Sequence, residues 1–321
     1  MTIILLLVGL GLLILGADRL IKGASDIATV LARKSGASEF IIGFTIVGFG
    51  TSCPELVVSL TGAIQENADI AIGNVVGSNI FNTLFILGIT SLIFPVSMTA
   101  TNRRRDIPIA FVVSILLIIL GMSKSLFGIG KGDTLTRLEG IFFLLAFSAY
   151  LIYNFKSGAP EADKRGKQKT AKLPVAVLFI ALGLAGLIFG SDLFVKKATE
   201  LARSIGVSDK FIATTVLAGG TSIPELAASI TAAARHKGQM ALGNILGSNI
   251  FNILLILGCS SVINPLSFSG MDLVDAGVLV FSSVLLLLWS YTGRKCHIDR
   301  WEGTVMLLAF AAYYYYLFTK P

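Results

Sequence analysis

Charge is scarce in this chain. Lys, Arg, Asp and Glu make up 14% of its 321 residues, where soluble domains carry about a quarter. The few charges cluster between long apolar runs, the mean hydropathy is +0.81, and no polar segment is large enough to cover those runs. A soluble globular fold is excluded, and the chain reads as a polytopic membrane protein. Histidine is nearly absent. His236 and His297 stand in no HExxH, and no P-loop is present, so zinc hydrolysis and nucleotide-driven pumping lack their residues. Cys53, Cys259 and Cys296 form an odd set without CxxC spacing, which gives neither a disulfide framework nor a thiolate metal site. Ser52 and Ser222 have no base beside them. The chain is therefore expected not to be an enzyme and to need no cofactor. The first apolar run has no basic n-region and no small-residue cleavage site, so it is expected to be a span and not a removed signal.

What the chain does have is ten apolar stretches of about 20 residues. They lie at 2–21, 39–64, 70–95, 106–124, 138–154, 173–194, 209–234, 240–264, 273–291 and 301–318. One long polar linker, KSGAPEADKRGKQKTAK at 156–172, divides them into a half at 1–155 and a half at 173–321. The expected fold is all-α: ten transmembrane helices in two repeats of five. The net charge of +7 sits mainly in loops, where topology and lipid headgroups account for it without nucleic acid. Lys22, Arg33, Lys34, Arg103, Arg104, Arg105, the linker, Arg235, Lys237, Arg294, Lys295 and Arg300 fall on one side. That side holds roughly twice the basic residues of the other, so both termini are expected outside and the linker in the cytoplasm. The basic loop between spans six and seven dissents.

The halves repeat each other. AIGNVVGSNIFNTLFILG (71–88) matches ALGNILGSNIFNILLILG (241–258) without a gap, and TSCPEL matches TSIPEL at the same offset. Five spans separate the copies. Because five is odd, the second copy crosses in the opposite direction. Inverted-topology repeats of this kind place a substrate site near the bilayer midplane, on interrupted helices.

Each TSxPEL carries an acid at depth. Glu55 falls about 16 residues into span two, near mid-membrane at ~1.5 Å per residue, and Glu225 is equally deep in span seven. A bare carboxylate in hydrocarbon costs several kcal/mol, and neither has Lys or Arg nearby in its span. A bound cation is one candidate partner; a carried proton is the other. Pro54 and Pro224 disrupt the turn before them, and Gly48, Gly50, Gly219 and Gly220 loosen it, which makes helices two and seven discontinuous. Carbonyls at Gly48, Thr51, Ala218 and Thr221 and hydroxyls of Thr51, Ser52, Thr221 and Ser222 are then available. Hard cations such as Ca2+ take about six to eight oxygens, carboxylates among them. A proline kink with Ser/Thr back-bonding explains one motif, but not acids in both.

In the GNxxGSNIFN motifs, Asn74, Ser78 and Asn82 share a helix face, as do Asn244, Ser248 and Asn252. These strips are expected to face the acids and complete the site. Gly73, Gly77, Gly243 and Gly247 suit close helix packing. Asn79 and Asn249 point off that face and have no assigned role. Asp18 and Asp192 are expected to snorkel near span ends, and Arg103–Arg105 to serve as a topology signal.

GTSCPEL with GNVVGSNIFN, repeated as GTSIPEL with GNILGSNIFN, resembles the alpha-repeats of the sodium/calcium exchanger family, in the cation/calcium antiporter superfamily. The resemblance covers the whole chain. It implies antiport of Ca2+ against Na+ through one central site, with these two ions as substrates and the bilayer as the surroundings. By that likeness Glu55, Glu225, Thr51 and Thr221 hold Ca2+. Ser52, Ser78, Ser222 and Ser248, with backbone at Gly48 and Ala218, help hold Na+, and spans one and six slide as the gate. Asn82 and Asn252 are both amides. Some relatives, including potassium-dependent ones, place an acid at the position of Asn252, so potassium independence is expected. The short linker leaves no room for a regulatory domain, which implies a prokaryotic-type exchanger of the plasma membrane. A monomer is compatible with this. H+/Ca2+ antiport and a passive cation channel are the alternatives.

Overall fold

In hydrocarbon only a helix satisfies its own backbone, so long apolar runs fold as helices. A computed structural model describes residues 1–35, 38–128, 132–156, 173–205, 219–292 and 297–319. Helix α1 (Thr2–Ser35) is followed by α2 (Glu39–Thr51), which bends by 50° into α3 (Cys53–Ile64). Then come α4 (Ala68–Ile93), α5 (102–121) and α6 (Arg137–Lys156). The second half contains α7 (Leu173–Ser204), α8 (Ile223–Ala234), α9 (Gly238–Ile263), α10 (Leu273–Tyr291) and α11 (Arg300–Thr319).

Among the described residues, six helices are long and apolar enough to cross a membrane, and the count is seven if the bent pair α2–α3 is one span. This is fewer than the ten expected, for local reasons. The apolar part of α5, Ile107–Gly121, has 15 residues behind the polar turn NRRRD. Helix α11 dilutes its apolar residues with Arg300, Glu302 and a run of tyrosines. Helix α8 has 12 residues; the expected start of its span, 209–218, lies outside the described residues, as do 157–172 of the linker and Cys296.

Burial sorts the helices. In α4 and α9, 67% and 83% of the apolar stretch is buried, against 22–33% for the other long spans. These two helices form the centre, and the rest present apolar faces outward. Both are relaxed by a π-helical turn at the same point of the repeat, Phe81–Ile86 and Phe251–Leu257.

Helices α1 and α7 pack antiparallel along glycines seven residues apart. A Cβ would come within 2.9 Å of the Phe194 amide at Gly9, 2.7 Å of the Leu187 amide at Gly16 and 2.6 Å of the Ala176 carbonyl at Gly23. The opposing helix contributes Gly183, where a Cβ would meet the Leu20 amide at 2.5 Å. Backbone therefore meets backbone along this pair, as small residues permit.

The halves interlock by exchange. Strand β1 (Val96–Ser97) pairs antiparallel with β4 (His297–Ile298), while β2 (Thr134–Leu135) pairs with β3 (Leu266–Ser267). Aromatic contacts follow the same rule. Phe147 of α6 packs on Phe251 of α9 with centroids 5.0 Å apart, and Phe310 of α11 packs on Phe81 of α4 at 5.5 Å.

Two local features carry predictions. The turns after α3 and α8 place Glu66 and His236 at φ 58°, the left-handed position that closes a helix and favours glycine. Glu66→Gly is expected to raise stability by about 1 kcal/mol, read as a higher melting temperature in detergent. At the head of α5, Asp106 is fully buried. It pairs with Arg105 at 2.8 Å and accepts from Asn102 at 3.0 Å and from the Tyr150 hydroxyl at 3.2 Å. Arg105, expected as a topology signal, is thus also a structural partner in the first turn of α5. Asp106→Ala is expected to cost about 3 kcal/mol, with ion affinity unchanged in calorimetry.

Candidate functional site

The two TSxPEL motifs start the helices that follow them, α3 and α8, in the same way. Ser52 has φ −82° and ψ 6°, and Ser222 has φ −90° and ψ 6°. Pro54 and Pro224 occupy the first turn of the helix that follows, where a missing N–H costs nothing. Glu55 and Glu225 lie in that same turn, at the positive end of the helix dipole.

Ser-x-x-Glu at a helix start is the pattern of a capping box, in which serine and glutamate close on their own helix. Neither serine does so here. The Ser52 hydroxyl instead donates to Glu225 Oε1 at 3.0 Å, and the Ser222 hydroxyl to Glu55 Oε1 at 3.1 Å. Each serine before a helix start is met by the acid of the other half. Ser248 also reaches Glu225 Oε1 at 3.4 Å, and Ser222 lies 3.1 Å from the Ser78 hydroxyl.

Two asparagines brace this centre. Asn74 Nδ2 donates to the Glu55 carbonyl at 3.1 Å and to Ser59 at 2.9 Å. Asn244 Nδ2 does the same to the Glu225 carbonyl at 3.2 Å and to Ser229 at 2.9 Å. Their Oδ1 atoms face Thr221 at 3.4 Å and Thr51 at 3.1 Å across the halves. Asn74 and Asn244, expected as neutral donors to the site, are therefore occupied as braces. Ser59 and Ser229 were not singled out in the sequence, although both stand one turn after the acids. The Gly48 carbonyl also differs from the expectation of a freed oxygen: it accepts from the Ser52 amide at 3.0 Å and lies 3.3 Å from the Thr51 hydroxyl. The break sits after it, so its helical bond survives. Ala218 lies outside the described residues.

The exposure of the central side chains is 0% for Glu55 and 1% for Glu225, so water does not solvate them from outside. Among the described residues no Lys or Arg pairs with either. Glu55 Oε2, Glu225 Oε2, Asn82 Oδ1 and Asn252 Oδ1 are buried and have no hydrogen-bond partner. Each is an oxygen lone-pair site without a donor, and they occur in matched pairs from the two halves. Such orphans are costly unless something fills them. The peripheral acids differ: Asp18 pairs with Arg235, and Asp192 with Lys196 at 2.8 Å. Cys53 is half-buried with its thiol 3.4 Å from the Phe49 carbonyl.

The family profile described as sodium/calcium exchanger protein matches residues 1–156 and 175–319. The sodium/calcium exchanger MaX1 of Methanosarcina acetivorans is 34% identical over 98% of both chains. The inner membrane protein YrbG of Escherichia coli is 36% identical, over 89% of this chain and 88% of its own. The solved structure of the sodium-calcium exchanger NCX_Mj, soaked with zero Na+ and Ca2+, superposes with a TM-score of 0.80 at 31% identity, covering 97% of each chain. With a match across nearly its whole length, the chain belongs to the sodium/calcium exchanger protein family, a family of membrane-spanning antiporters.

Proposed function

We propose that this protein exchanges Na+ for Ca2+ across the cell membrane at a single site between Glu55 and Glu225. The observation that carries the reading is the set of four buried, donor-free oxygens on Glu55, Glu225, Asn82 and Asn252. A proton needs no such cage, whereas Na+ and Ca2+ are bound by oxygens. Glu55 and Glu225, with Thr51 and Thr221, are the Ca2+ ligands in this reading. Ser52, Ser78, Ser222, Ser248, Asn82 and Asn252, with the backbone at Ala218, help the two carboxylates hold Na+. Soaks of NCX_Mj combine Na+ with Ca2+ or Sr2+, and we extend that range of ions to this site.

The mechanism follows from charge. Two carboxylates neutralise one Ca2+ or accept several Na+. If both ion sets use the oxygens of Glu55 and Glu225, they exclude each other. The empty site leaves two buried acids facing each other, which opposes switching without an ion. When the Na+ charges exceed those of one Ca2+, the cycle moves net charge and responds to voltage. No third carboxylate is present where Asn252 stands, in keeping with potassium independence. The exchanged strand pairs, the exchanged serines and the matched helix starts support ten spans in two inverted repeats, with helices two and seven discontinuous. We place both termini outside. Helices α1 and α7 are then the sliding gate over a fixed centre.

Reconstituted vesicles loaded with Na+ test this. Radioactive Ca2+ should enter when Na+ runs outward at equal pH, without added K+. Uptake driven only by a pH gradient would replace Na+ by H+ as counter-ion. Unitary currents in a planar bilayer would make the protein a channel.

A further inference from the structure

Asn79 and Asn249 lie in the same helices as the ion-facing amides, three residues earlier, and neither has a part in the site so far. An amide shows an oxygen on one edge and N–H donors on the other. Turned the wrong way, Asn82 or Asn252 would aim N–H groups at a cation. Something must set that turn, and water is excluded. Asn79, Asn82, Thr83, Asn249 and Asn252 are between 0% and 8% exposed.

The backbone carbonyl of Asn249 supplies an unambiguous starting point, because it can only accept. Asn79 Nδ2 lies 3.1 Å from it, so Asn79 must direct its Oδ1 the other way. That oxygen is 2.9 Å from Asn252 Nδ2. Asn252 must therefore give its N–H edge to Asn79, which leaves its Oδ1 on the opposite edge, buried and without a partner. Ser248, one turn earlier on the same helix, reaches Glu225, so this face is the one turned to the acids.

The reverse crossing is built alike but ends differently. Asn82 Nδ2 donates to Asn249 Oδ1 at 3.2 Å, and Asn249 Nδ2 lies 2.8 Å from the Thr83 hydroxyl. A hydroxyl can donate or accept, so this chain can reverse where the first cannot. The position matching Thr83 is Ile253, which removes the hydroxyl from the other crossing.

We infer that Asn79 is a positioning residue that locks the Asn252 oxygen toward the transported ion, and that Asn249 sets Asn82 by a looser, reversible link. The inference rests on the exchange reading above. Each half thus orients a ligand that belongs to the other.

The test is Na+ and Ca2+ titration calorimetry on purified protein, comparing Asn79→Ala in the natural background and in Asn252→Asp. A carboxylate shows an oxygen to the ion whichever way it turns, so it does not need the lock, and its other oxygen meets Asn79 Oδ1 acceptor to acceptor, a contact that Asn79→Ala relieves. Asn79→Ala is expected to weaken Na+ binding about tenfold in the natural background and less than about twofold in Asn252→Asp. Equal weakening in both backgrounds, or none in either, would overturn the inference. Should Asn79→Ala not fold, Asn249→Ala compared in natural and Asn82→Asp backgrounds gives the same contrast, with a smaller loss expected and the same overturning outcomes. Wild-type protein that binds neither ion would remove the exchange reading, and this inference with it.

Discussion

Glutamine at Glu55 or at Glu225 is expected to abolish Ca2+ exchange and leave the chain folded and inserted. The amide keeps the volume of the acid and still accepts from Ser222 or Ser52, whose hydroxyls lie 3.1 and 3.0 Å from the two carboxylates. What it removes is one of two negative charges at a site with no basic residue among the described ones. A unit charge about 4 Å from another, at an effective dielectric near 20, is worth about 4 kcal/mol. A divalent ion loses at least that much, so half-saturating Ca2+ should rise by roughly a thousandfold. The ion-free variant should also melt no lower than wild type, because a buried like-charge repulsion has been removed. Uptake in vesicles, gel filtration and a melting curve measure the three parts. Near wild-type uptake by either variant would refute the assignment of both acids.

Gly183→Leu is expected to stop transport by a different route. A Cβ at Gly183 already meets the Leu20 amide at 2.5 Å and a leucine continues further. The contact is backbone on backbone, so no side chain can turn aside. Helices α1 and α7 must separate, or lock in one offset where the new side chain finds a gap between turns. In either case the smooth face built from Gly9, Gly16, Gly23 and Gly183 becomes ridged. Turnover should fall by about a hundredfold or more, while Na+ and Ca2+ affinity at Glu55 and Glu225 holds, since the carboxylates are braced by α4 and α9. Calorimetry set against vesicle uptake separates the two quantities. Unchanged turnover would mean that α1 and α7 do not slide on this face. Gly183→Ala should give an intermediate rate.

The legible features were those written in residue type. The apolar runs announced the helices, and Pro54 and Pro224 announced the starts of α3 and α8, because a proline acts on its own backbone wherever it stands. Glu55 and Glu225 stood out for the same reason: an acid in hydrocarbon is conspicuous alone. What stayed hidden depends on partners far along the chain. Ser52 and Glu55 read locally as a pair, and only the folded halves show the serine on the opposite glutamate. Asn74 and Asn82 look alike on one helix face, yet the first is held by the Glu55 carbonyl and Ser59 while the second keeps a free oxygen. The π-helical turns at Phe81–Ile86 and Phe251–Leu257 left no mark in spacing, since one wide turn shifts the face by an amount an apolar sequence does not record. Among the described residues, fewer helices than the expected ten reach the length and apolarity of a span, because polarity interrupts some of them, as in α5 and α11.

The crossed serines bear on how the protein is made. Ser52 finds its acceptor 173 residues later, at Glu225. At a synthesis rate of about 5 to 20 residues per second, roughly 9 to 35 seconds pass between the two emerging from the ribosome. Throughout that interval the nascent first half holds a helix break with no acceptor for its serine and an acid with no donor from the second half. Its centre cannot close by itself, and a fragment ending at the linker should remain a client of insertion chaperones and membrane proteases. Arrival of Ser222 and Glu225, and not insertion of the first helices, is the event that ends this exposure.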